Sequence, residues 1–291
     1  MKAPLKGLLI LALYGLTSCL VREHIHVDKI MTWLEAQEYC RLHYDDLSTL
    51  STQQEVKQLV DIEHLSCPTS TDYFWWCLHG RWTGLYTNTP TLPVPIWKWS
   101  GGENETLCPW ANGEPNSMPD EACGFTFIKT GQCYNAPCSW NLSFFCMDVY
   151  EVILVQKNKT WQKALDYCRK HYIDLVSLKA DNWMKNAVEV TKAAQTAYVW
   201  TGLHFLSGEW FWAKGDALEY QAWSTEGQPQ CPATNHRCVA LGQKEEIWQP
   251  RACEEKLNFL CFQKLHYKGS QLATQQTLSV SASSSSTTMT K

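Results

Sequence analysis

Residues 31–50, MTWLEAQEYCRLHYDDLSTL, return in altered form as residues 159–178, KTWQKALDYCRKHYIDLVSL. Trp33 matches Trp161, Ala36 matches Ala164, Tyr39-Cys40 matches Tyr167-Cys168, and His43-Tyr44 matches His171-Tyr172. Farther on, WTGLY (82–86) matches WTGLH (200–204), and WKW (97–99) matches WFW (210–212). The last three cysteines of each half keep one spacing. It is 15 positions from Cys123 to Cys138 and from Cys238 to Cys253, then 8 from Cys138 to Cys146 and from Cys253 to Cys261. A chain that repeats its tryptophans, its glycine and its cysteine intervals is expected to fold one supersecondary unit twice. Two homologous domains are therefore expected in 291 residues.

Each unit opens on a short alternating strand, His24-Ile25-His26-Val27 and Val152-Ile153-Leu154-Val155. A helix follows, where Thr32 and Glu35 have capping-box spacing and Trp33, Ala36, Tyr39 and Cys40 share a face. A second helix is expected from Ser51 or Thr52, with Val56, Leu59 and Val60 inward, and its counterpart near Asp181. The later part of each unit is rich in Trp, Gly and Pro, the composition of strands and long loops. Helices first and strands later is an α+β order. An insertion before Trp82 carries Cys67 and Cys77, close enough to pair locally, and Trp75-Trp76, for which local packing is the ordinary expectation.

A net charge of −4 without a basic run argues against a nucleic-acid partner. Residues 1–19 read as a signal peptide: Lys2 and Lys6, an apolar run from Leu8 to Leu16, then small residues ahead of cleavage after Cys19. Leu16-Thr17-Ser18-Cys19 also resembles a bacterial lipoprotein box. No later segment has the apolar length of a membrane span, so the chain is expected to be secreted. Fourteen cysteines in such a chain read as disulfides. Zinc is the rival reading, without C-x-x-C spacing to support it. Asn104, Asn141 and Asn158 head N-x-S/T sequons and are candidate glycosylation sites. Residues 265–291 are dominated by Ser, Thr and Gln and cannot bury a core. No nucleophile–base pair or open metal motif appears, so an enzyme is not expected. His24 and His26 are read as structural strand residues.

W-x-x-A-x-x-Y-C, W-T-G-L, W-x-W and the C…C…C ending together resemble the C-type lectin-like domain, twice over. The domains are placed at 22–148 and 149–264. Tandem copies are similar to soluble relatives of the mannose-receptor group. The resemblance implies a looped, disulfide-closed α+β fold. It implies bridges Cys40–Cys146 and Cys168–Cys261 around each domain, and Cys123–Cys138 and Cys238–Cys253 between late strands. Among the remaining cysteines, Cys108 lies just before the long loop and is the candidate partner of Cys133. The partners of Cys67, Cys77 and Cys231 stay open.

In sugar-binding members of that family, calcium sits between a loop Glu-Pro-Asn, a Glu two residues before a cysteine, and a strand Trp-Asn-Asp. The first domain keeps Glu114, Pro115, Asn116 and Glu121. Its strand reads Cys133-Tyr134-Asn135, so two carboxylates stand where the family has three. Calcium affinity follows ligand charge and count, and the site (Glu114, Asn116, Glu121, Asn135) is expected to be weak or dead. In the second domain, Gln228-Pro229-Gln230, His236 and Trp248-Gln249-Pro250 stand at the same places and supply no carboxylate. Calcium is thus conceivable in the first domain only. The resemblance implies a secreted carbohydrate-recognition protein with glycans or glycoproteins as partners. The alternative is a protein-binding module that has abandoned sugar, with ice-surface binding a remote third.

Overall fold

The computed structural model describes residues 20–59, 74–90, 94–105, 107–116, 118–225, 227–230 and 235–265, with Leu92, Pro232 and Ala233. The signal-peptide region 1–19, Cys67, Cys231, Val60 and the tail beyond 265 lie outside these residues. The chain divides into two compact units, one built on Arg22–Tyr150 and one on Glu151–Gln263.

The first unit runs β1 (Leu20–Met31, beginning just ahead of the unit), α1 (Trp33–His43), β2 (Asp46–Leu47), α2 (Gln53–Gln58), α3 (Phe74–His79), β3 (Gly80–Thr87), β4 (Trp97–Trp99), β5 (Cys123–Phe127), β6 (Gln132–Ala136) and the first half of β7 (Leu142–Lys159). Strand β3 organises the sheet. It pairs antiparallel with β4 through Leu85–Trp99 and with β5 through Gly80–Phe127, and parallel with β7 through Trp82–Phe144. Strand β6 continues the sheet antiparallel to β5, with Asn135 opposite Gly124. The opening strand is longer than the alternating tetrad 24–27, because its pairing with β7 carries regular structure from Leu20 to Met31.

The second unit runs from the rest of β7 through α4 (Trp161–His171), β8 (Asp174–Leu175), α5 (Asp181–Thr191), β9 (Tyr198–Leu206), β10 (Glu209–Trp212), β11 (Cys238–Gly242), β12 (Trp248–Arg251) and β13 (Leu257–Lys264). Its central strand β9 pairs antiparallel with β10 and β11 and parallel with β13, and β12 lies antiparallel to β11.

Local chemistry explains these elements. Thr32 and Glu35 close a capping box at α1: the Thr32 hydroxyl accepts from the Glu35 N–H, and the Glu35 carboxylate accepts from the Thr32 N–H at 3.0 Å. The Thr32 hydroxyl also donates to the Glu35 carboxylate at 2.7 Å, and this bond, with that from the Thr32 N–H, holds the Glu35 carboxyl below its ordinary value. In α4 the residue three beyond Thr160 is Lys163, and Thr160 makes no side-chain cap. Four tryptophans at matching positions of the two units place their indole N–H groups on carbonyls. Trp33 donates to Thr83 and Trp161 to Thr201, each at 2.8 Å, while Trp82 donates to Met31 and Trp200 to Lys159 at 3.1 and 2.9 Å. Each Trp-Thr-Gly-Leu glycine lets two backbones approach. A Cβ on Gly202 would lie 3.1 Å from the Leu175 carbonyl oxygen, and one on Gly84 would lie 3.2 Å from that of Leu47.

In the insertion, Cys77 is disulfide-bonded and fully buried. Trp76 packs against Phe125, Phe127 and Tyr134, which lie on β5 and β6 and not in the insertion. Trp75 is 55% exposed, edge-on to His79 at 4.4 Å and with the Lys129 ammonium 5.1 Å from its ring centroid. Arg81, wholly buried at the position Val199 takes in the other unit, donates to the carbonyls of Leu78 and Gly80 at 3.1 and 2.9 Å and so closes the end of α3. His24 is buried too. Its Nδ1 lies 3.0 Å from the Ser48 hydroxyl, and burial with Arg22 nearby lowers its pKa to about 3, so it stays neutral.

Candidate functional site

The loop between β4 and β5 is fastened to β6. Cys108 and Cys133 form a disulfide with Cα atoms 5.9 Å apart, and both residues are buried. The Cys133 N–H donates to Pro109, and the Ala111 N–H donates to Cys133, each at 3.0 Å. The loop then turns at a cis Glu114–Pro115 bond.

That fastening brings Glu114, Asn116, Glu121 and Asn135 into one hydrogen-bonded cluster. Asn135, on β6 and 6% exposed, is its centre. Its Oδ1 accepts from the Asn116 N–H at 3.2 Å. Its Nδ2 donates to Asn116 Oδ1 at 3.3 Å, to Glu121 Oε2 at 3.1 Å and to the Glu121 carbonyl at 3.3 Å. Asn116 donates in turn to Glu114, from its backbone N–H at 3.2 Å and from Nδ2 at 3.4 Å. Burial pushes both carboxyls above their ordinary value. Hydrogen bonds oppose the rise at each, and at Glu121 the charges of Glu114 and Asp120 add to it.

This donor set does not fit calcium. The ion wants six to eight oxygens with carboxylates among them. Here the amide hydrogens of Asn135 point at the oxygens a cation would take. Tyr134 faces the other way, stacked on Phe125 at 5.4 Å and 15°. Among the described residues no group of three or more His, Cys, Asp or Glu side chains is placed to hold a metal ion.

In the second unit Gln228 and Pro229 lie on the corresponding loop and Trp248, Gln249 and Pro250 on β12. His236 is exposed and hydrogen-bonds its neighbour Asn235 at 2.7 Å. Pro229, Trp248, Gln249 and Pro250 border a cleft of about 310 Å³ that Trp223 also lines. The cleft was not legible in the sequence, because a tryptophan lining a cleft and one filling a core read alike.

The structure joins Cys40 to Cys146, Cys123 to Cys138, Cys168 to Cys261 and Cys238 to Cys253. Of the sequon asparagines, Asn104 and Asn158 are exposed and Asn141 is partly buried. Asn158 Oδ1 accepts from the buried Asn258 at 2.8 Å. No helix among the described residues is long and apolar enough to cross a membrane.

Comparison with known proteins finds the Lectin C-type domain family at residues 157–263. The chain is 21% identical over 264 residues to the rabbit (Oryctolagus cuniculus) secretory phospholipase A2 receptor, a match covering 80% of this chain and 17% of that protein. It is 21% identical over 262 residues to the mouse (Mus musculus) C-type mannose receptor 2, covering 79% of this chain and 17% of the relative. The chain thus spans about a sixth of the length of these receptors. Among solved structures, human lithostathine aligns at 25% identity with a TM-score of 0.36, covering 40% of this chain and 92% of that one. Residues 157–263 thus carry a C-type lectin domain, and the chain around them is homologous to the mannose-receptor and phospholipase A2-receptor proteins.

Proposed function

We propose that this chain is an extracellular recognition protein of two C-type lectin-like domains, the first a diverged copy of the second, and that the first domain binds glycans with little or no calcium dependence. The observation that carries the glycan reading is the cluster around Asn135. Carboxylate and amide groups of Glu114, Asn116 and Glu121 converge at a partly exposed loop, a set that can accept from and donate to sugar hydroxyls. The name of one relative, C-type mannose receptor 2, points to a hexose of that class. Support for the copy is the shared succession of elements and the shared tryptophan–carbonyl bonds. The extracellular reading rests on the disulfides.

A glycan array probed with the full chain, in calcium and in chelator, tests the reading. Binding in both conditions that falls at least tenfold in Glu121→Ala, about 1.4 kcal/mol or more, is the expected result. No glycan bound in either condition would leave the second reading, a protein-binding module. That reading draws on exposed Leu92, Val94 and Ile96 in the first unit, and on a relative named as a receptor for a protein.

A further inference from the structure

Four lysines of the second unit gather round one tyrosine. Lys157 and Lys159 stand two apart on β7 and so share a face of the strand. Both ammoniums lie over the Tyr167 ring, 4.7 and 5.6 Å from its centroid, and Lys157 Nζ also donates to the Tyr167 hydroxyl at 3.2 Å. Tyr167 is on α4, with Lys163 four residues before it and Lys170 three after, so both neighbour it on the helix surface. Trp161, Ala164, Leu165 and Cys168 form the buried face of α4. Lys157, Lys163 and Lys170 are exposed and Lys159 partly so. Asn158, between the two strand lysines, turns to the opposite face, where it accepts from Asn258.

The fold does not call for this charge. None of the four lysines has an ion-pair partner among the described residues. Arg169 is paired with Asp174 and stands apart from them. Asp166 is the single carboxylate of α4 and accepts from Gln162 at 3.0 Å. Lys163 sits in the first turn, where the positive end of a helix opposes a cation, at the place where Glu35 closes a capping box in the first unit. At the places of Lys157, Lys159, Lys163 and Lys170 the first unit has Lys29, Met31, Glu35 and Leu42, and Lys29 lies over Tyr39 at 4.4 Å. The same helix and strand thus form with one of the four cations. A local cost without a structural return marks a functional surface.

The arrangement also defines the partner. The chain has a net charge of −4, so its attraction for an anion here is local. Lys163 and Lys170 are two helical turns apart, about 10 Å. Ammoniums spread over that length suit a chain of repeated anionic groups rather than one phosphate. Each is a point charge without the planar fork of arginine, so it accepts sulfates at varied positions along a polymer. The anionic leaflet of a cell membrane faces the cytoplasm, away from an extracellular chain. We propose that β7 and α4 of the second unit form a binding surface for a sulfated polysaccharide, with Lys157, Lys159, Lys163 and Lys170 pairing with its sulfates and Tyr167 holding two of the ammoniums in place. The choice of a sulfated chain rests on the extracellular reading above; the surface is separate from the Asn135 cluster.

Calorimetric titration of the full chain with a heparin decasaccharide tests it. Binding at low salt that fades as salt rises is expected. The triple variant Lys159→Met, Lys163→Glu, Lys170→Leu gives the second unit the residues of the first and should lose at least about tenfold in affinity. Lys57→Glu with Lys244→Glu, an equal change of charge at exposed lysines on neither element, should lose less than about threefold. Glu121→Ala should bind as the wild type does, which separates this surface from the glycan reading of the first unit; a loss there overturns the proposal. So does no binding at low salt, equal loss in the two lysine variants, or undiminished binding of the desulfated decasaccharide. Phosphatidylserine vesicles and a DNA duplex of equal charge are the rival polyanions, and tighter binding of either through the same lysines overturns the proposal. If the triple variant does not fold, Lys163→Gln and Lys170→Gln decide singly: each must weaken binding at least about threefold, and failure of either to do so overturns the proposal.

Discussion

Asn135 sets the chemistry of the first unit's loop because it donates where a calcium ligand would accept. Asn135→Asp removes those donors and faces Glu121 with a third carboxylate. Calcium affinity is expected to rise at least tenfold, about 1.4 kcal/mol, by calorimetric titration, and equally negligible binding in both proteins would mark the stretch as loop alone. The family pattern invites a second repair, Tyr134→Asn, but the stacking of Tyr134 on Phe125 excludes it. Removing that partly buried ring is expected to cost about 1–3 kcal/mol. The loop carboxyls have a pH signature. Because burial raises them, the folded chain holds their protons more tightly than the unfolded chain. Their contribution to stability therefore falls as pH rises from the ordinary 4.5 through the raised folded value. Glu121→Gln should raise the melting temperature at neutral pH and flatten that fall; a pH series of thermal melts with no difference between the two proteins would refute this. Glu114, Asn116 and Glu121 were legible in the sequence because they form a compact motif. The direction of the Asn135 amide was not, since asparagine serves as donor and acceptor alike.

Matched elements separate chemistry that the repeat makes look the same. Thr32 and Thr160 hold the same position before α1 and α4, yet only Thr32 caps with its side chain. Thr32→Ala is expected to cost about 0.5–2 kcal/mol in denaturant unfolding, and Thr160→Ala much less; equal losses would show that the box contributes nothing. The sequence carried this difference openly, as Glu35 against Lys163. Gly202 makes a sharper test. Its Cβ would press on the backbone of β8, which cannot yield as a side-chain tip can, and Gly202→Ala is expected to cost about 1–3 kcal/mol. Helix α3 was less legible. Six residues are too few for a period, and its end is closed by Arg81, a residue the repeat aligns with an apolar Val199.

At the scale of the molecule, crosslinks do much of the constraining, and cysteine spacing is the part of a fold that sequence displays best. Two intervals repeated to the residue are visible without any coordinates; the Cys108–Cys133 bridge has no counterpart in the second half and appears only as a remainder. In the chain-entropy model a bridge across 25 residues is worth about 3.5 kcal/mol. Replacing both cysteines by serine should cost that order of stability and free the loop from β6. The bridge has another consequence. Residues 112–120 include exposed Asn112, Gly113, Asn116, Met118, Pro119 and Asp120, the kind of tip where proteases cut. Any such cut falls inside both Cys40–Cys146 and Cys108–Cys133. A nicked chain therefore keeps its mass on a non-reducing gel, and its two fragments part only when thiol is added.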